Sequence, residues 1–372
     1  MATNQTEITE PRDLLDERGR ITREGWARYP YWRYDRNQIR ASALRIKEWD
    51  YYAIIADRRD EADGERKTDS AGGADRRDRP NHSSFGLTIT MSDLGYAGLF
   101  AVCFLDFQRR YCHQVGTSRV MPLGRTGFPS DPEDGTVTYR DRTLELVVAG
   151  GRGERTITFK APGLRDGRGE EGLQGEIRLE QPPELESMTI ATSWAEKRTA
   201  FYYNRKINCM PASGGFTIGG NRYEYSRSSD FGTLDWGRGV WTYRNRWYWG
   251  SASGNLEGVP FGFNIGYGFS DRSPASENTL FYRGRAHKIG EVTFHYDPAD
   301  YLKPWRFTSS DTRLEMSFQP ILDRTSETNL GIIRSSQHQV FGRFSGTAVL
   351  DDGTRLAVKD LLGFAEDVYN RW

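Results

Sequence analysis

The chain has 372 residues, which is longer than an ordinary single domain of roughly 100 to 200 residues, and this predicts two packed units or one enlarged β domain. Lysine plus arginine number 51, and aspartate plus glutamate also number 51. This balance argues against nucleic acid as the main partner, and no apolar run is long enough for a membrane span.

The first 25 residues predict an extended N-terminal arm, because they are polar and charged and carry neither a secretory signal nor an anchor. The three cysteines, Cys103, Cys112 and Cys209, form no CxxC motif. Because an odd number of cysteines cannot all pair within one chain, this count favours a reduced, cytoplasmic setting.

The sequence predicts a first β unit over residues 26–193, because short runs rich in β-branched and aromatic residues alternate there with turn-rich segments. No helical segments separate these runs, so the pattern favours an antiparallel meander over a parallel sheet. Residues 57–80 interrupt the meander with seven basic and eight acidic residues and no apolar residue larger than alanine. We expect this segment to be a disordered charged insertion.

The sequence predicts a second β unit of the same kind over residues 194–372. The predicted fold class is therefore mainly β, with two consecutive antiparallel barrel or sandwich units. At the C-terminus, Leu361, Leu362, Ala365 and Val368 recur at helical spacing. This spacing predicts one helix over residues 359–371.

The stretch from 230 to 269 has the composition of a site, with four of the ten tryptophans close to Asp235 and to three arginines. Within it, the order from Phe261 to Phe269 predicts a strand with aromatic or aliphatic side chains on one face and mostly glycine on the other. A glycine face weakens a strand unless something large lies against it, either a ring of the protein or a ligand.

Asp235 is the first candidate for a catalytic acid, because Leu234 and Trp236 would desolvate it while Arg238 would favour its charged form. The alternative is that Asp235 and Arg238 form a structural ion pair. Glu277 and Asp271 follow the glycine-faced strand, and either could supply the partner carboxylate of acid/base catalysis.

The predicted substrate-binding residues combine rings with polar groups suited to holding a small molecule. Strand ladders, turns and an ordinary core explain them about as well. They are Trp236, Arg238, Trp241, Trp247, Trp249, Asn264, Tyr267, Tyr203, Asn204 and His338. The sequence has no HExxH, paired CxxC or phosphate-loop motif, so we expect neither a metal nor a cofactor.

Six runs carry a resemblance to a known family: KEWDYY, FYYNRKINCMPASG, LDWGRGVWTYRNRWYWGSASG, FGFNIGYGFSDRSPASEN, PILDR and HQVFGRFSG. Together they resemble the mainly bacterial family catalogued as domain of unknown function 2804, over nearly the whole chain from about Pro11. The charged insertion is the chief departure, and the family implies no established reaction.

The layout of two β units with an Asp-Trp pair in the second is similar to the two-domain lipocalin-like hydratases of the carotenoid hydratase type. That similarity implies that the two units are lipocalin-like, that Asp235 protonates an alkene and that the neighbouring rings stabilise the resulting cation. Three functions therefore stay open: a hydratase, lyase or isomerase, a non-catalytic carrier of an apolar or amphipathic ligand, and a carbohydrate-active protein.

Overall fold

A computed structural model describes residues 5–58, 83–329 and 331–371, and within these ranges the chain is almost entirely β-strand. The only helical elements there are two short 3-10 turns, Arg36–Gln38 and Ala43–Arg45. None of the helices in these ranges is long and apolar enough to cross a membrane. The predicted charged insertion at 57–80 lies, apart from its first two residues, outside the described residues.

The first sheet collects thirteen strands of the described chain. A separate two-residue parallel pair, β1 (Arg12–Asp13) and β3 (Trp32–Arg33), joins the N-terminal arm to the segment after it. The strands of the first sheet are β2 (Gly25–Ala27), β4 (Ile46–Ala56), β5 (Phe85–Asp93), β6 (Ala97–Asp106), β7 (Tyr111–Val120), β8 (Gly135–Arg140), β9 (Glu145–Gly151), β10 (Glu154–Arg165), β11 (Glu171–Glu180), β12 (Met188–Trp194), β13 (Lys197–Ile218), β14 (Asn221–Tyr225) and β15 (Phe231–Val240).

The strand order along this sheet is β7-β6-β5-β4-β15-β13-β11-β10-β9-β8, with β12 and β14 paired to opposite ends of β13. Strand β13 is 22 residues long because it changes partners midway. It pairs with β12 up to Lys206 and with β15 up to Pro211, across a bulge where Cys209 has a φ of 58°. It then pairs with β11 from Ala212 and with β14 from Gly214.

The second sheet has nine strands in the described ranges, in the order β19-β18-β17-β16-β24-β23-β22-β21-β20. The change from one sheet to the other falls between Val240 and Arg244, so most of residues 194–240, predicted in the second unit, belong to the first sheet. Strand patterns show where strands lie, but they do not show which strands pair. The strands are β16 (Arg244–Leu256), β17 (Val259–Tyr267), β18 (Thr279–Tyr282), β19 (Arg285–Lys288), β20 (Val292–His295), β21 (Trp305–Ser309), β22 (Leu314–Asn329), β23 (Arg334–Val349) and β24 (Arg355–Arg371).

The predicted C-terminal helix is wrong, since these residues form β24, which lies between β16 and β23 in the second sheet. Both faces of β24 are buried: Leu362 and Phe364 face the first sheet, while Leu361 and Ala365 belong to the core of the second. A strand buried on both sides loses its polar and apolar alternation, and here the remaining apolar residues happened to match helical spacing.

Each sheet encloses its own core on its inner face, and the outer faces of β4, β13 and β15 meet those of β16, β17 and β24. The structure confirms the predicted fold class of two consecutive antiparallel β units. Polar residues from both sheets meet in this contact zone, which positions the candidate site.

Candidate functional site

Asp235 faces the second sheet from the middle of β15, because alternate residues of a strand point to opposite faces. Its two strand neighbours in register are Lys206 of β13 and Tyr51 of β4, which share that face. Its chain neighbour Trp236 points the other way, into the core of the first sheet. The side chains of the Asp-Trp pair therefore lie in two places, Asp235 between the sheets and Trp236 in the core of the first sheet.

A buried ion pair forms the centre of the site. The Lys206 ammonium lies 2.8 Å from Asp235 Oδ2 and 3.9 Å from Glu277 Oε2, and it sits 3.8 Å from the centre of the Trp249 ring. Asn204 donates its side-chain amide to Asp235 Oδ1 at 2.6 Å. At most 10% of either charged side chain of the Lys206–Asp235 pair is exposed, so water screens their attraction weakly.

Glu277 brings the loop after β17 into the same cluster. Its carboxylate accepts hydrogen bonds from the Tyr202 hydroxyl at 3.0 Å and from the Asn264 amide at 3.1 Å. Asn264 in turn accepts the indole N–H of Trp249 at 2.6 Å. The Tyr202 hydroxyl has its pKa raised well above the usual value by burial and by the nearby charge of Glu277, so it acts as a donor to that carboxylate.

Glu366 of β24 completes the cluster, and the sequence analysis missed it because residues 359–371 were predicted to be helical. Its carboxylate accepts the Gln339 amide at 2.6 Å and the Trp247 indole N–H at 3.4 Å. Burial raises the pKa of Glu366 to about 7, against the opposing effects of the Lys206 charge and the Trp247 hydrogen bond. Phe364, Glu366 and Val368 are alternate residues that share one face of a strand, and this period of two is the sequence signal that could have located Glu366.

Rings from both sheets surround these polar groups. Trp241 stands edge-on to Trp49 at 5.8 Å, to Trp247 at 5.5 Å and to Tyr202 at 5.6 Å between ring centres. Phe269 lies 4.6 Å from Tyr202. Of these five rings, Trp49 and Trp247 are partly exposed and the other three are buried. The aromatic wall thus has one side that reaches the surface.

Three predicted binding residues lie on the opposite face of the first sheet. Trp236 packs edge-on against Tyr203 at 5.3 Å in the first core. The Arg238 guanidinium lies 4.0 Å from the Trp236 ring centre and forms its ion pair with Asp50 at 2.9 Å. A structural ion pair between Asp235 and Arg238 is therefore excluded by the strand geometry, since the two side chains point to opposite faces.

Three other predicted residues also lie outside the cluster. Asp271 forms an ion pair with Arg198 at 2.9 Å and accepts the Ser273 hydroxyl, and these hydrogen bonds lower its pKa. Tyr267 stacks on Tyr248 inside the second sheet. His338, also on the inner face of that sheet, has a ring nitrogen 2.8 Å from Asp323 Oδ2 and stacks on Tyr301 at 3.8 Å. The structure gathers Asp235, Glu277, Asn204, Asn264, Trp241, Trp247 and Trp249 in or around the zone between the sheets.

The glycine face of β17 borders this zone, as a Cβ at Gly266 would lie 3.2 Å from Glu277 Oε2. The strand is shorter than predicted, since β17 ends at Tyr267. Gly268 then takes a φ of 106° and Phe269 moves into the cluster of Tyr202 and Trp241. What lies against the glycine face is therefore polar side chains of the protein.

Gly237 offers a direct test of how tightly the wall is packed, since a Cβ there would lie 2.1 Å from Cζ2 of Trp49. We expect Gly237→Ala to push this indole aside and lower the free energy of unfolding by about 1–3 kcal/mol, which is typical of overpacking. Gly163→Ala is the matched control, because that strand glycine has open space around it. Equal urea midpoints for the two variants would contradict the packing described here.

Two surface grooves lie elsewhere on the first sheet. One, of about 910 Å³, crosses β9, β10, β11, β13 and β14 around Gly214 and Gly215. The other, of about 860 Å³, lies beside Tyr29, Tyr31 and Gly150. Asp235 lines neither groove. No group of three or more His, Cys, Asp or Glu side chains in the described ranges is arranged to hold a metal ion.

Comparison with known proteins places the chain in a family without assigning it a reaction. An AttH-like protein from Nitrosomonas europaea aligns over 87% of this chain and 92% of its own, with 11% identity and a TM-score of 0.45. Kievitone hydratase from Nectria haematococca aligns over 87% and 88%, with 9% identity and a TM-score of 0.47. No curated protein matches the sequence. The sequence model of the domain of unknown function DUF2804 matches residues 5–60 and 81–372, so the chain belongs to that family.

Proposed function

We propose that this protein is a cofactor-independent enzyme of the hydratase, lyase or isomerase type, which works by general acid/base catalysis between its two sheets. The observation that supports this most is Glu366, a buried carboxyl with a pKa of about 7, in one cluster with the buried Lys206–Asp235 pair. Groups that titrate near the working pH are the ones best suited to give and take protons.

In this proposal the two carboxyl groups have different roles. Glu366 is the proton donor, because at neutral pH a large fraction of it carries a proton. Asp235 accepts from Lys206 and Asn204 and serves as the base. Two carboxyl groups with different surroundings in one site are characteristic of acid/base pairs in enzymes. The charge of Asp235 also acts on Glu366 and favours the protonated form of that carboxyl.

The aromatic wall supports chemistry on a carbon–carbon double bond. Protonation of an alkene by Glu366 would leave a carbocation, and the faces of Trp247 and Trp249 would stabilise it. Trp249 holds the Lys206 ammonium 3.8 Å from its ring centre, so one cation–ring contact is already present in the cluster. Water would then add to the cation and give its proton to Asp235.

Asn204 is suited to hold that water. Its amide N–H donates to Asp235, while its own Oδ1 is buried and accepts no hydrogen bond from the described residues. A buried oxygen without a donor costs about 1–3 kcal/mol, which a bound water or a substrate hydroxyl would remove. Substrate entry requires Trp49 and Trp247 to move, because these are the partly exposed rings of the wall.

The test uses untargeted metabolite extracts, so that many candidate substrates are tried at once. Incubation in ¹⁸O-labelled water with the wild-type protein should change pairs of metabolites that differ by one water and should place the label in the heavier member. We expect Asp235→Asn to lower this conversion by about 100-fold or more, the typical contribution of a general base. Asp297→Asn, which removes a surface carboxylate paired with Lys303, should leave it unchanged.

A carrier would give a different result. If the site between the sheets only holds a ligand, mass spectrometry of the purified protein should find the same co-purified molecule in the wild type and in Asp235→Asn, and no extract should show labelled product. Labelled product that forms equally well with Asp235→Asn would also remove Asp235 from the mechanism.

A further inference from the structure

Three arginines stand side by side across the second sheet, at the end of its inner face. The register pairs Arg244 of β16 with Arg371 of β24, and Arg371 with Arg334 of β23. Side chains at directly paired positions have Cβ atoms only about 4.5–5.5 Å apart. We call these three residues the arginine row. Arg244 and Arg334 are exposed and Arg371 is partly exposed.

Within the described part of the chain, no acid neutralises the charge of this row. Among the described residues, no aspartate or glutamate forms an ion pair with any of the three arginines. The acid that comes nearest in register is Glu327, which lies opposite Ser336 and accepts its hydroxyl. Asp367, deeper on the same face, pairs with Arg246 instead. Like charges at paired positions repel each other and destabilise a sheet. An anion bound between the three arginines would offset this repulsion, so the arrangement favours anion binding.

The middle arginine of the row, Arg371, is held in place by the turn beside it. Arg371 donates one guanidinium N–H to the carbonyl of Gly331, in the turn between β22 and β23, while its Nε is buried without a hydrogen-bond acceptor. Tyr243 donates its hydroxyl to the carbonyl of Ile332 in the same turn at 2.7 Å. Adjacent guanidinium groups match the oxygens of phosphate and carboxylate, which arginine binds through two parallel N–H bonds.

We propose that the arginine row is a binding site for an oxyanion, a phosphate or carboxylate group carried by a soluble ligand or by a lipid. Ile332 is 76% exposed and Tyr243 is 45% exposed beside the row, so the ligand carries an apolar part next to its charge. Because Glu366 lies on the other face of the second sheet and Asp235 belongs to the first sheet, this site is independent of the proposed reaction.

Pyrophosphate is the soluble probe, and vesicles of phosphatidylcholine with and without phosphatidylserine are the lipid probe. The variant Arg244→Gln/Arg334→Gln removes two charges from the row. Arg125→Gln/Arg142→Gln is the matched control, because it removes two exposed charges from loops of the first unit. At low ionic strength we expect one of the probes to bind the wild type and the control, and to bind the row variant about tenfold or more weakly.

The arms of the experiment identify the source of the anion. Pyrophosphate binding that is measured by calorimetry and accompanied by a rise in Tm indicates a soluble phosphate ligand. Co-sedimentation of the protein only with vesicles that contain phosphatidylserine indicates a lipid headgroup. Binding of neither probe to the wild type, or equal binding to the row variant, overturns the proposal. Without anion the row variant should be at least as stable as the control, because it loses a repulsion. A lower Tm would mean that the arginines are structural and would count against the site.

Discussion

Replacement of Lys206 by methionine should lower the free energy of unfolding by about 3–5 kcal/mol, among the largest effects of any single change in this chain. Lys206 is the cation that compensates Asp235 at 2.8 Å and Glu277 at 3.9 Å, and all three side chains are almost fully buried. Methionine fills a similar volume, so the loss comes from leaving two carboxylates without their partner. Urea denaturation at pH 7 measures it.

Two further variants show whether the cause is the uncompensated charge. Lys206→Met/Asp235→Asn removes the main partner as well, and we expect it to recover a large part of the lost stability, because a buried ion pair gains little over a neutral pair. Lys303→Met breaks a surface pair with Asp297 at the same 2.7–2.8 Å separation, and it should cost less than about 1 kcal/mol. Equal losses for Lys206→Met and Lys303→Met would mean that the cluster is solvated.

The fold class could be predicted from the sequence because strands and turns are local. Alternation in runs such as Leu314 to Phe318, with turns between them, requires only that one face be buried, and the structure has β22 there. Which strands join was not predictable in the same way. Residues 197–240 lie in the first sheet because β13 pairs with β11 and β12 and because β15 pairs with β4, and no local pattern specifies these partners.

The candidate site shows the same division between local and non-local information. Asp235 stood out in the sequence through its apolar neighbours, and the structure buries it. Its charged partner Lys206 is 29 residues away in β13 and Glu366 lies in a strand of the other sheet, so only strand pairing brings them together. Trp236 and Arg238 were expected beside Asp235, but their side chains follow the alternation of β15 to the other face.

The pH dependence of stability should identify Glu366 as a group that is buried in its neutral form. Its pKa of about 7 in the folded protein lies above the value near 4.3 of an unfolded glutamate. Between these values the folded chain holds a proton that the unfolded chain has lost. The stabilisation from this group is therefore fully present below about pH 4 and is lost as the pH rises through 7.

Glu366→Gln removes this dependence, since glutamine keeps a hydrogen-bonding side chain of the same shape but does not titrate. The difference in free energy of unfolding between the wild type and Glu366→Gln should shift by about 3 kcal/mol between pH 4 and pH 8, in favour of the variant at the higher pH. Other groups cancel in this difference, including Lys288, whose pKa burial lowers to about 7. Glu315→Gln, on an exposed side chain, should show no such shift.

The same variant connects stability with catalysis. If Glu366 is the proton donor, the labelled-water conversion should fall with Glu366→Gln at every pH, while in the wild type it should decline as the pH rises through 7, because the donor loses its proton there. A Glu366→Gln protein with the stability change but undiminished conversion would leave the carboxyl as a buried structural group, and the proton would then have to come from elsewhere in the cluster.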